Sequence, residues 1–331
     1  MKKLIGITLI GILFITWSLT LGSHNILMED WLSIFNISDL IGIKPNTDLS
    51  HIIFYEIRLP RLLIAIVCGV ALSLSGLWMQ NYFQNPLAGP FVLGISSGAS
   101  LGVAVLGFLS QYVMILGEFT RVSAAALGAI VVFIMILIIS KKWKNPSSVL
   151  IFGIMISYLS GALITLMIYY ADSESIKRYT LWGMGNFESQ SYSQIFLFAL
   201  VTFIAWIIML KRHRHLDNMA YGKEYAMTLG TNYAKEEKWV LICSCILAAW
   251  ATALCGPIAF IGLMAPHFTR MIFKVDSNLK MMILTPNVGW ILTVFALDLT
   301  QAFEFSVPIN TATSLMGAPF VIWFLWKKQR I

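Results

Sequence analysis

Residues Glu56–Gly76 read EIRLPRLLIAIVCGVALSLSG, with Arg58 and Arg61 on either side of Pro60 and a charge-free run that continues past Tyr82. As a helix, such a run is long enough to cross the ~30 Å hydrocarbon layer of a bilayer. A guanidinium at the bilayer centre costs at least ~2.5–3.5 kcal/mol, so the two arginines mark its edge. Proline is tolerated in the first helical turn, where its missing N–H has no partner to lose. The stretch therefore reads as the mouth and upper part of a membrane span.

The rest of the chain repeats that pattern. Of 331 residues, 58% are hydrophobic and only 12% charged, and the mean hydropathy is +0.78. Soluble domains carry about 25% charged residues. Apolar segments recur near residues 4–22, 60–82, 91–112, 122–140, 147–170, 193–210, 237–255, 257–273, 280–303 and 308–326. Those near 91–112 and 257–273 are interrupted by Gly and Pro, so their limits are soft. The start, MKKLIGITLIGILFITWSLTLGSHN, has the basic residues and apolar core of a secretory signal. Leu4–Leu21 is nevertheless long for a signal core and is read as an uncleaved first span. The expected fold is an all-α polytopic membrane protein of about ten helices, one domain over residues 1–331.

Charge orients it. With the N-terminus inside and spans alternating, only Lys44, Arg58, Arg61, Arg121, Lys177 and Arg178 fall outside, leaving seventeen of the 23 basic residues inside. Short inner loops enriched in Lys and Arg are the signature of a cytoplasmic face, so both termini are cytoplasmic. The formal net charge of +7 then follows from topology and does not call for nucleic acid. Cys68, Cys243, Cys245 and Cys255 all fall in apolar segments. Cys243 and Cys245, two apart, point in different directions on a helix, so buried thiols are expected rather than a metal pair.

Two connections stand out: an outer segment, 23–57, and an inner one, 211–238, reading KRHRHLDNMAYGKEYAMTLGTNYAKEEK. After Asp217 the inner segment reads as one short amphipathic helix, with Met219, Ala220, Ala226, Met227 and Leu229 apolar and Gly230 as its stop. A cytoplasmic helix between two spans suggests a docking element. NPLAGPFVLG (Asn85–Gly94) and CGPIAFIGLMAP (Cys255–Pro266) open Gly/Pro-broken segments that enter from opposite sides, a faint inverted repeat of the kind that marks transport pathways.

Nothing in the sequence hydrolyses ATP by the usual route. YGKEY has a Gly-Lys pair without the glycine-rich turn or hydroxyl that cradles phosphate. No paired catalytic groups or cysteine cluster suggests an enzyme or a metal site. Arg58 and Arg61 are either snorkelling anchors or a device for capturing an acidic partner by charge-assisted hydrogen bonds. Asp298, inside a span, is a proton relay or a structural acid; Glu304 lies near the outer end of that span. Gly94, Ser96, Ser97, Gly98 and Ser100 permit close helix approach, as plain packing or as a thin wall around a wide path. Pro266, His267 and Arg270 sit near the cytoplasmic mouth, where structural or gating roles are expected.

At these residues the chain resembles the permease subunits of bacterial ABC importers for ferric siderophores, haem and cobalamin. RLPRLL and GVALSLSG, then QNPLAGPFVLGISSGASLG (Gln84–Gly102), are similar to that family's N-terminal signature. GKEYAMTLG (Gly222–Gly230) resembles its cytoplasmic coupling segment, and GPIAFIGLMAPHFTR (Gly256–Arg270) and LMGAPFVIWFL (Leu315–Leu325) its C-terminal signatures. The likeness covers nearly everything after residue 55.

The resemblance implies a type II ABC importer permease fold in the cytoplasmic membrane. It implies a second permease around a central channel, two ATPase subunits below and an extracytoplasmic binding protein above. Arg58 and Arg61 would meet acidic residues of the binding protein. Gly222, Glu224, Ala226, Leu229 and Gly230 would enter a groove of the ATPase. No cofactor is expected on this chain, ATP and Mg being used by the ATPase. A ferric siderophore is the first expectation for cargo, haem or cobalamin the next. Two departures matter: Ala302 stands where the family usually has an arginine, and VPIN places Asn310 where it favours glycine. The missing cation points to a paralogous partner permease that supplies it. The rival reading is a proton-coupled secondary carrier using Asp298 and Glu304.

Overall fold

The computed structural model describes residues 2–20, 52–110, 118–143, 145–188, 190–275, 277–302 and 307–328. Among them are thirteen α-helices and no strand. Ten coincide with the ten apolar segments: α1 (Lys2–Thr20), α2 (Leu59–Phe83), α3 (Ile95–Ser110), α4 (Glu118–Lys142), α5 (Pro146–Tyr170), α7 (Tyr192–Leu210), α10 (Tyr233–Cys255), α11 (Ile261–Phe273), α12 (Asn278–Ala302) and α13 (Ile309–Lys328). The other three are short: α6 (Ser173–Gly183), α8 (His213–Met219) and α9 (Lys223–Thr228). Glu304 and most of the outer segment 23–57 lie outside the described residues.

Each soft boundary has a backbone cause. Pro60 has no N–H for the Glu56 carbonyl, and a wider π turn, Ile53–Arg58, precedes α2 there. The segment near 91–112 becomes helical only at Ile95, after a 3₁₀ turn, Pro90–Leu93, closed by Gly94 at φ 77°. The segment near 257–273 becomes helical only at Ile261, after Phe260 at φ 66°. Both members of the faint repeat thus open with a non-helical turn.

α2 is the centre of the bundle. Within its span 78% of the apolar window is buried, against 17% for α5, although both are strongly apolar. The difference lies in small residues. A Cβ on Gly76 would lie 1.7 Å from the Gly262 carbonyl oxygen, and one on Gly69 2.6 Å from that of Gly289. Glycine alone allows α11 and α12 to press their backbones onto α2. Pro266 adds to this: it cannot donate to the Gly262 carbonyl one turn earlier, at the point where Gly76 approaches. α5, apolar all round yet mostly uncovered by its own chain, faces lipid or another subunit.

Polar contacts at the helix ends agree with the alternating topology. Lys3 Nζ donates to the Ile272 carbonyl (2.8 Å), joining the inner ends of α1 and α11. Arg58 Nη1 donates to the Leu19 carbonyl (2.5 Å), joining the outer ends of α1 and α2. Ten crossings return the chain to the face where it began, the lysine-rich cytoplasmic one. All four cysteines are buried as free thiols.

The inner segment differs from expectation. It holds two helices, α8 and α9, rather than one after Asp217, because Gly222 sits at φ 105°, a conformation that stops a helix between them. Gly230, at φ 77°, does end α9. Its N–H bonds the Met227 carbonyl and that of Thr231 bonds Ala226 (both 3.0 Å), a Schellman closure.

Candidate functional site

Three clusters hold the residues singled out from the sequence: the outer end of α2, its inner end, and the cytoplasmic hairpin α8–α9.

At the outer end, Arg61 lies one turn into α2 and forms an ion pair with Glu188 of the α6–α7 connection. Tyr192, at the start of α7, donates through its hydroxyl to the Tyr55 carbonyl in the π turn, so the same connection grips the chain on both sides of Arg58. The Arg61 side chain is 22% exposed and that of Glu188 58% exposed. Arg58 is buried, its guanidinium capping the carbonyl end of α1 at Leu19, where a cation also complements the helix dipole. The two arginines therefore differ: one faces the mouth beside an exposed carboxylate, the other is built into the bundle. Glu188 and Arg61 are 127 residues apart, and nothing local in the sequence announces their pairing. Both Glu188 and Arg121 line a cavity of about 220 Å³ of mixed polar and apolar character.

At the inner end, α2 and the residue just past it supply four polar side chains that reach four different elements. Gln80 Nε2 donates to the Leu263 carbonyl (3.2 Å) and its Oε1 accepts from Arg270 Nη1 (2.9 Å). Asn81 donates to Asn278 at the head of α12. Tyr82 donates to Glu237 of α10. Gln84, in the left-handed region at φ 48°, donates to the Met219 carbonyl of α8 (3.0 Å). His267 lies buried 2.8 Å from the Pro86 carbonyl through Nε2, which makes that nitrogen the protonated one, with its ring 4.3 Å from that of Phe324. His267 and Arg270 thus join α11 to the inner end of α2 and the turn that follows it, and the imidazole is spent on that joint.

The α8–α9 hairpin has two faces. Leu216, Met219 and Ala226 are buried against the bundle. Tyr221, Tyr225, Met227 and Leu229 project outward, Tyr221 at 76% exposure and Leu229 at 53%. Glu224 is exposed beside them, and Gly222 and Gly230 bracket the helix. Four large apolar side chains uncovered on the watery side of a membrane protein mark a surface meant for a partner.

The small-residue stretch divides between packing and half-exposure. Gly94 abuts Gly153 of α5, and Gly98 abuts Gly128 and Val132 of α4. The Ser96 hydroxyl lies 3.0 Å from that of Thr252. These three residues are buried in helix contacts, whereas Ser97 and Ser100 are half-buried, Ser100 beside Tyr179 of α6. Asp298 is buried against α1, where Ser18 is its polar neighbour and the rings of Phe14 and Phe295 meet one turn inward, tilted at 52° with centroids 5.2 Å apart. Asn310 ties the start of α13 to the turn before α11. Its Oδ1 accepts from the Ala259 N–H (3.3 Å), and its own N–H bonds the Met184 carbonyl (3.1 Å). No cluster of His, Cys, Asp and Glu able to hold a metal occurs among the described residues.

Comparisons with known proteins fit this geometry. A family model described as the FecCD transport family matches residues 9–327. The hemin transport system permease protein HmuU of Yersinia pestis is 32% identical over 290 residues, 86% of this chain and 86% of that protein. The vitamin B12 import system permease protein BtuC of Vibrio vulnificus is 32% identical over 294 residues, 86% of this chain and 87% of that protein. In fold, the chain is similar to a solved metal-chelate type ABC transporter in an inward-facing conformation: TM-score 0.85, 24% identity, covering 98% of this chain and 99% of that one.

Proposed function

The chain belongs to the FecCD transport family, and we propose that it is a permease subunit of an ATP-driven importer carrying an iron chelate across the bacterial cytoplasmic membrane. The chain makes and breaks no bonds. A separate ATPase pair binds ATP and Mg and moves the α8–α9 hairpin. The bundle then rocks between outward- and inward-open states around a path shared with a second permease. The mostly uncovered α5 is the face offered to that partner, and a paralogous partner would supply the outer cation that Ala302 lacks.

The observation that carries this reading is the hairpin. Tyr221, Tyr225, Met227 and Leu229 stand uncovered on the cytoplasmic face, the last three between Gly222 and Gly230. That is the form of a plug for a groove, and a self-sufficient bundle has no use for it. At the opposite end of α2, Arg61 is the first contact for an acidic lobe of an extracytoplasmic binding protein, and Arg58 fixes the end of α1 behind it. Asp298, buried on α12 where it meets α1, serves as a packing acid and not as a proton relay.

Ferric siderophores come first as cargo, with haem and cobalamin next; selection among them rests with the binding protein. The test is Glu224→Lys, which reverses charge on the exposed side of α9 and touches nothing in the bundle. ATP-driven uptake of radiolabelled chelate into proteoliposomes should fall at least tenfold with insertion unchanged. Unaltered uptake by this variant would discard the coupling role, and uphill transport by the purified chain without any ATPase would discard the importer reading altogether.

A further inference from the structure

We infer that Asp217 is a positioning residue that ties the moving hairpin to α12 and α2 together, so that one displacement shifts both. The inference rests on the importer reading above and goes beyond it by naming the joint. Asp217 Oδ1 accepts from the Asn278 backbone N–H and from its Nδ2, each at 2.9 Å. Asn278 is the first residue of α12, where unpaired N–H groups and the positive end of the helix dipole collect. Such an end is ordinarily capped by the residue just before it. Here the cap comes from another element, 61 positions earlier in the chain.

The same asparagine carries the joint onward. Asn278 is buried, and its side-chain oxygen accepts from Asn81 of α2. Just past the end of α2, Gln84 holds the Met219 carbonyl, two residues further on in the same last turn of α8. Helix α8 is thus fastened at Asp217 to α12 and at Met219 to α2, with Leu216 packed between them in the core. A force on α9 reaches α8 through the Gly222 turn, and α8 cannot slide without dragging both helices. Because α2 is one unbroken helix, the same movement arrives at Arg61 on the far side of the membrane.

The experiment compares Asp217→Ala and Asp217→Asn in the complete complex of permeases, ATPases and binding protein, reporting chelate taken up per ATP hydrolysed. Asp217→Ala should assemble, hydrolyse ATP at the basal rate and transport about five- to tenfold less per ATP, the lower range of coupling between sites. Asp217→Asn keeps an acceptor oxygen for the same two N–H groups and should restore the ratio. Adding Asn278→Ala to Asp217→Ala should cost nothing further, because the pair acts as a unit. Should Asp217→Ala not assemble, Asp217→Glu, which keeps the charge but displaces it by one methylene, should show the same loss. A wild-type ratio in Asp217→Ala, or an Asp217→Asn variant as defective as alanine, overturns the inference alone. Absence of ATP-driven uptake by the wild-type complex overturns the importer reading and the inference with it.

Discussion

Replacing Glu188 by glutamine should strengthen docking of the binding protein while slightly weakening the permease itself. Arg61 is engaged by Glu188, so an acidic partner must exchange with an internal one. With Glu188 58% exposed, water screens the pair from the carboxylate side although Arg61 is only 22% exposed, and it contributes about 0.5–1 kcal/mol. Removing the competitor should therefore tighten docking by roughly 2- to 5-fold at low salt, and lower the thermal midpoint by no more than a few degrees. Removing the arginine acts the other way. Arg61→Gln strips a charge that becomes desolvated on docking, at a cost of about 2–3 kcal/mol, or roughly 30- to 150-fold in Kd. The decisive comparison is the double variant. If Glu188 acts by occupying Arg61, Glu188→Gln gains nothing in the Arg61→Gln background; a general repulsion between two acidic surfaces would leave the gain intact. Affinity would be measured with the permease–ATPase complex in nanodiscs at two salt concentrations, since only the exposed charges should be screened. An unchanged Kd in Glu188→Gln beside a weakened Arg61→Gln refutes the exchange. An unchanged Kd in Arg61→Gln returns that residue to anchoring a helix end.

Two further expectations concern the bundle. Gly76→Ala places a methyl 1.7 Å from the Gly262 carbonyl and must part α2 from α11, at about 1–3 kcal/mol, whereas Gly6→Ala meets nothing within 4 Å. Thermal unfolding in detergent should separate the two variants clearly, and equal midpoints would contradict the glycine crossing. Asn310→Gly leaves the Ala259 N–H without its acceptor, at about 1–3 kcal/mol, so hydrogen exchange over 256–260 should quicken while distant amides keep their rates. An unchanged rate there would strip Asn310 of its tethering role.

Hydropathy makes the ten spans legible because each is continuous in sequence and dry on most sides. It cannot show α6, whose polar faces give no apolar run, although Asp172, which accepts from the Ser175 N–H, is a visible start signal. Gly222 carries the signal that splits the inner helix into α8 and α9, but a glycine inside an amphipathic pattern is also tolerated, and only its positive φ decides the matter. The different settings of Arg58 and Arg61, one buried and one beside Glu188, are hidden for a different reason. Their spacing puts them near one another, but burial depends on where α1 ends, and α1 lies forty residues upstream. Glu188 and Asp217 are hidden for the same cause: polar pairs between helices follow from which helices become neighbours, and periodicity reports only which side of each is dry. Asn310 is visible as a departure, yet its purpose needs the position of Ala259.

The buried state of all four sulfhydryls has a practical use. Maleimide reagents in water will find none of them in the folded protein, so a fluorophore or spin probe placed at residue 224 or 188 reports from a dark background without first stripping the native thiols. Distances between such probes on opposite membrane faces could then be followed through the nucleotide cycle in an otherwise unaltered polypeptide.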